Sequence, residues 1–170
     1  MEIRAAAPAD AEAIERIRVR GWQVAYRHLF PAEFLDTMEV DPSRWQERIA
    51  EPPRGWSFFV ATRDERVIGF AIVGPSRDEP DVGELYALYV DPDCWSAGLG
   101  SALIRSAEAR LAEEYAEATL WVLQDNPRAR RAYERADWQV DGASKRFEAG
   151  GVAPLAIRYR KRLSSSASRS

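Results

Sequence analysis

The chain has 170 residues, 46% apolar and 11% aromatic, enough for one domain with its own core, and 24 basic against 27 acidic residues leave a net charge of −3. That balance argues against a general nucleic-acid surface and points to small-molecule or peptide partners. One cysteine, Cys94, and one histidine, His28, allow no internal disulfide and supply too few ligands for a zinc cluster, and no apolar run approaches the ~20 residues of a membrane span. A lone thiol and an N-terminus, MEIRAAAPADAEAIERI, that alternates charge with alanine fit a reducing cytoplasm rather than secretion.

Glu2 to Ala6 reads as a short strand, and Pro8 and Asp10 open a helix with Ile14, Ile17, Gly21 and Trp22 on one stripe, broken near His28. Pro31 to Met38 and Pro42 to Ile49 read as two short helices, ended by Pro52-Pro53. SFFVATRDERVIGFAIVGP is a hairpin of two buried strands around Asp64-Glu65-Arg66, and GELYALYV is the next strand after a polar loop. Gly98 to about Ala112 is a helix with Leu99, Leu103, Ala107 and Leu111 along one side. ATLWVLQ is a strand, Asn126-Pro127 opens a helix, and Trp138 to Phe147 and Leu155 to Arg162 close the chain as a strand pair.

Gly98 and Gly100 stand where a helix starts, although glycine costs roughly 1 kcal/mol against alanine inside one. A strand, a glycine turn and a helix N-terminus make a concave set of backbone N–H groups at the positive end of a helix dipole. The glycines allow φ > 0 and let a phosphate approach without meeting a Cβ, or they merely turn the chain; the dipeptide alone leaves both readings open. Leu103 stands where a dinucleotide fingerprint needs its third glycine, and a P-loop's Gly-Lys-Ser/Thr is absent.

The order ELYALYVDP, WSAGLGSAL, LWVLQDNPRARRAYERADW resembles the core of the GNAT superfamily of acyl-CoA-dependent N-acetyltransferases, and WQVAYRHLFPAEFL is similar to the N-terminal helices of its small bacterial members. The resemblance, which covers most of the chain, implies an α/β (α+β) fold. One domain over 1–163 would hold a central mixed, mostly antiparallel twisted sheet of about seven strands with helices on both faces, followed by a disordered tail at 164–170. It also implies acetyl-CoA as cosubstrate without a metal, an amine in a small molecule or peptide as acceptor, and leaves a homodimer open.

In that family a Gln/Arg-x-x-Gly-x-Gly/Ala loop holds the coenzyme A pyrophosphate, mainly through backbone N–H groups. The matching cofactor residues are Ser96, Ala97, Gly98, Leu99, Gly100 and Ser101, with Leu88, Tyr89 and Val90 at the thioester carbonyl and Asn126 and Tyr133 along the pantetheine arm. Two positions depart from the pattern. Trp95 replaces the usual Gln or Arg, which removes one polar side chain from a site built largely of backbone. Asp137 replaces the glycine before the final aromatic, Trp138, at a helix-ending αL position that Asp tolerates.

Amide transfer needs a neutral amine, a polarised thioester carbonyl and a proton for the leaving thiolate. Tyr133 lies two helical turns after Asn126, so both project from roughly one face. By resemblance Tyr133 gives that proton; read alone, the pair is a packed aromatic and a helix cap, and beside the glycine loop the catalytic reading comes first. Glu84 alternates with Tyr86, Leu88 and Val90 on one side of its strand. It is either a partly buried general base or a strand-end glutamate reaching solvent beside Gly83. Trp22, Tyr26, Trp45 and the 147–152 loop with Phe147 match segments that shape the family's acceptor pocket, core packing being the alternative for each ring. Cys94 reads as a loop thiol and His28 as a helix-end residue, neither catalytic. The whole reads as an N-acetyltransferase in which a primary amine attacks directly within a ternary complex, the alternative being a non-catalytic acyl-CoA-binding or sensing domain.

Overall fold

The apolar runs pair into one sheet because each strand has a face that only a neighbouring layer can cover. A computed structural model describes residues 1–95 and 97–164. Ser96 and residues 165–170, which carry one expected cofactor contact and most of the expected tail, lie outside the described residues. The strands are β1 (Glu2–Ala5), β2 (Ser57–Arg63), β3 (Arg66–Pro75), β4 (Gly83–Val90), β5 (Glu117–Leu123), β6 (Gln139–Arg146) and β7 (Leu155–Arg162), in the order β1-β2-β3-β4-β5-β7-β6. Every neighbouring pair is antiparallel except β4–β5. The helices are α1 (Ala11–Ala25), α2 (Ala32–Asp36), α3 (Ser43–Ala50), α4 (Leu99–Ala112) and α5 (Pro127–Arg135).

One face of the sheet carries α4 and α5. Leu99, Leu103, Ala107 and Leu111, four residues apart, are buried against Ala71, Val73, Leu85, Leu120 and Tyr159. Each fully buried leucine contributes about 1.5–3 kcal/mol. The other face carries α1 and α3, whose Ile14, Ile17, Trp45 and Ile49 pack on Phe58, Val60, Phe70 and Ile72.

Two irregularities shape the middle of the sheet. In the β3–β4 register Ile72 faces Ala87 while Val73 faces Leu85, so Tyr86 is an extra, bulged residue. The bulge corrects the alternation expected from the sequence: Tyr86, Ala87 and Tyr89 pack towards α1 and α3, whereas Leu85, Leu88 and Val90 pack towards α4. Glu84 and Tyr86 therefore do not share a face with Leu88 and Val90. The second irregularity is the parallel seam, where β4 and β5 pair only as Gly83 with Ala118, Glu84 with Thr119 and Leu85 with Leu120. Beyond those rungs the strands part, and a cleft opens at their C-terminal ends. Asp91, 3% exposed, pins the end of β4: its carboxylate accepts from Arg20 Nη1 of α1 at 2.7 Å and from Arg66 Nη2 of β3 at 3.0 Å.

Candidate active site

The loop after β4 delivers the chain to the N-terminus of α4 beside the cleft. Gly98 is the N-cap residue, with φ 76°, and among the described residues no side chain caps the helix. The first N–H groups of α4, those of Leu99, Gly100 and Ser101, thus have no capping partner among the described residues. Gly100 lies within the helix, outside the positive-φ region, so its backbone does not demand glycine. A Cβ at Gly98 or Gly100 would meet nothing within 4 Å. The positive φ expected of the pair belongs to Gly98 alone; at Gly100 the missing side chain leaves open space over bare N–H donors.

On the β4 wall, the Asp91 N–H donates to Ile68 O of β3, and antiparallel alternation turns the N–H groups of Val90 and Leu88 the other way, into the cleft. Tyr89 contributes its side chain instead, its hydroxyl accepting from Trp22 Nε1 at 2.9 Å. Trp95 Nε1 donates to Val90 O at 2.9 Å, and the Arg128 guanidinium lies over the Trp95 ring, 3.7 Å from its centroid.

On the opposite wall, Asn126 caps α5, its side chain accepting from Ala129 N at 3.1 Å and donating Nδ2 to the Tyr26 hydroxyl at 3.2 Å. Tyr133, 7% exposed, packs its ring on Trp138 and Tyr159 with centroids 6.4 and 6.3 Å away. Its hydroxyl makes no hydrogen bond among the described residues. Burial, and then the neighbouring Tyr89, push the Tyr133 phenol above its ordinary range, so it stays protonated. Asp137 takes φ 65° as expected, and the N–H groups of Asp137 and Trp138 bond back to Glu134 O and Tyr133 O, a Schellman ending that fixes this last turn.

Trp22, Tyr26, Phe30 and Phe34 follow at four-residue spacing and nest where α1 turns into α2. Trp22 lies 5.2 Å from Tyr26, 5.1 Å from Phe30 and 5.7 Å from Phe147, which reaches in from the β6–β7 loop and is 37% exposed. His28 ties this turn to the start of α5, its Nε2 lying 2.9 Å from Asp125 O. Trp45 is not part of the nest: it sits in the α1–α3 core and donates Nε1 to Glu15 Oε2 at 2.6 Å.

Comparison with known proteins agrees with this architecture. The sequence profile described as the acetyltransferase (GNAT) family matches residues 14–138. The chain belongs to the GNAT family. Its relatives include a Mycobacterium tuberculosis protein named a "probable N-acetyltransferase", 29% identical, with 84% of this chain and 82% of that one covered. A mycothiol acetyltransferase of Kocuria rhizophila is 33% identical over 79% of this chain, which spans half the length of that enzyme. Among solved GNAT folds, the PaiA N-acetyltransferase of Thermoplasma acidophilum in complex with coenzyme A superposes with a TM-score of 0.76 at 18% identity, covering 95% of this chain and 98% of that one.

In a GNAT chain the cosubstrate is coenzyme A or its acetyl ester, and the open N–H groups over Gly98 and Gly100 suit a phosphate-bearing ligand. Glu84 does not reach solvent, which removes the strand-end alternative, and as the candidate base it is fully rather than partly buried. It is 0% exposed, and one oxygen accepts from the Arg77 N–H at 3.0 Å while the other accepts from Arg77 Nε at 3.0 Å and from its terminal nitrogen. It therefore neither reaches solvent nor stands free. Sequence reasoning missed Arg77, Phe30, Phe34 and Arg128. The four-residue spacing from Trp22 to Phe34 was a usable signal for the nest; nothing local announced the partners of Arg77 and Arg128.

Proposed function

We propose that the protein transfers an acetyl group from acetyl-CoA to a primary amine by direct attack in a ternary complex. The observation that carries this reading is a cleft with helix N–H groups over Gly98 and Gly100 at one end and the hydroxyl of Tyr133 on its wall, all without a partner among the described residues. Acetyl-CoA lies with its pyrophosphate at the start of α4 and its thioester between β4 and α5. The amine nitrogen attacks the carbonyl carbon, and the N–H groups of Leu88 and Val90 take the charge gathering on oxygen. As the C–S bond breaks, Tyr133 gives its proton to sulfur and is restored by a proton from the new amide nitrogen.

An amine that arrives as ammonium must first lose a proton, and Glu84 is the carboxylate assigned to accept it. Arg77 already places three donors on the carboxylate, two on one oxygen and one on the other, which leaves a single acceptor site for the amine proton unless Arg77 moves aside. The same ion pair favours the alternative, an acyl-CoA-binding domain without turnover. Trp22, Tyr26 and Phe147 would wall the acceptor side. The deciding experiment is thiol release from acetyl-CoA across a panel of amines, with Tyr133→Phe alongside the parent. Turnover in the parent that falls about 10²-fold in the variant, at unchanged coenzyme A affinity, is expected. Binding without turnover by any amine supports the sensing domain, and equal kcat removes Tyr133 from the mechanism.

A further inference from the structure

Trp95 fills the position where this loop would otherwise offer a polar side chain, and its indole is already committed to Val90 O, so it has no donor left for a ligand. Arg128 comes from the other wall of the cleft, at the second residue of α5, and lies flat enough on the ring to bring its central carbon 3.7 Å from the centroid. A guanidinium stacked on an indole keeps its five N–H donors in the plane and pointing outwards. No carboxylate pairs with Arg128 among the described residues. Burial, and then Arg131, push its guanidinium below its ordinary value, the direction expected of a cation without a counter-charge.

We propose that Arg128, held on the Trp95 ring, is the side-chain cation for the coenzyme A pyrophosphate in this chain. It supplies from α5 what the Trp95 position cannot supply from the loop. The N–H groups of α4 would hold the diphosphate on one side and the Arg128 fork on the other, with Trp95 as the platform that fixes the fork. This inference rests on coenzyme A binding, so the parent must first bind it; a parent that does not bind refutes the function proposed above as well.

The test is calorimetric titration of parent, Arg128→Ala and Arg128→Met with coenzyme A, dephospho-coenzyme A and pantetheine. The methionine variant keeps an apolar stem over the indole and removes only the charge. Both variants are expected to lose at least tenfold in affinity for coenzyme A and for dephospho-coenzyme A, with pantetheine unaffected. The parent's affinity should also fall more steeply with added salt than that of either variant. Unchanged affinity for coenzyme A overturns the proposal. So does a loss that extends equally to pantetheine, which would make Arg128 a shaper of the cleft, or one that vanishes with dephospho-coenzyme A, which would move the contact to the 3′-phosphate.

Discussion

The two ends of the cleft are built from different materials. At the α4 end the groups proposed to bind are main-chain N–H donors, exposed by glycines that add nothing to packing. At the α1–α2 end they are side chains, with Trp22, Tyr26, Phe30 and Phe147 packed ring on ring. A backbone site is set by chain geometry and tolerates a neighbour as unlike Gln or Arg as Trp95. A side-chain site changes with every substitution, so on the proposed reading the anion end stays recognisable within one fold while the acceptor end is free to specialise.

The sharpest way to break this comparison is at Gly100. Gly100→Val should put a branched Cβ into the open space over the N–H donors and weaken coenzyme A binding by at least 10²-fold in calorimetry. Gly100→Ala should raise unfolding stability by about 0.5–1 kcal/mol in urea melts, because the position is helical and unobstructed, while still lowering affinity. Stability and binding moving in opposite directions mark a residue kept for its ligand; if both variants bind like the parent, Gly100 is not kept for a ligand.

A smaller effect is expected from Glu84→Gln, about tenfold in kcat at neutral pH, recovering as pH rises and more amine is already neutral. Arg77→Met frees the carboxylate and should cost less activity than Glu84→Gln. Parallel pH profiles of parent and Glu84→Gln would leave Glu84 as nothing more than the anchor of the 76–82 loop. At the acceptor end, Phe147→Ala removes a half-exposed ring and should raise KM for the amine about three- to tenfold with coenzyme A affinity unchanged. A shift in coenzyme A affinity instead would mean that the two ends are not separable.

The smallest effect lies away from the cleft and serves as its control. The Arg4 hydrogen bonds hold the Asp10 carboxyl below its ordinary 3.8, outweighing burial. The folded value is below the unfolded one, so this stabilisation is complete above about pH 3.8 and is lost as pH falls through the lowered value. Asp10→Asn should cost roughly 0.5–1 kcal/mol at pH 7, less than a buried pair because Arg4 is partly exposed. Its stability should converge on that of the parent in acid, with coenzyme A binding untouched; a constant gap across pH would remove the ion pair as its cause.

Much of this molecule was legible in its sequence. Apolar spacing, with cap and proline signals, located the seven strands and five α-helices to within a few residues, because that spacing follows from which face is buried. Gly98, Asn126 and Asp137 signalled their caps, since each helix end poses the same local hydrogen-bonding problem. Parity failed at Tyr86, where a bulge exchanges the two faces of β4 and no residue type announces the insertion. Side-chain pairings across the fold, Arg77 on Glu84 and Arg128 on Trp95, depend on distances that only the folded chain defines.

The three rungs between β4 and β5 make the sheet two half-sheets, joined by that short seam and by the apolar ridge of α4 that both halves bury. A ligand that enters the gap and meets the cleft-facing N–H groups of Leu88 and Val90 would extend that short seam. Occupancy then becomes a term in the folding equilibrium. By mass action, coenzyme A at a hundred times its Kd stabilises a protein that binds it only when folded by about 2.7 kcal/mol, so the melting temperature of this chain should climb with the logarithm of the cosubstrate concentration.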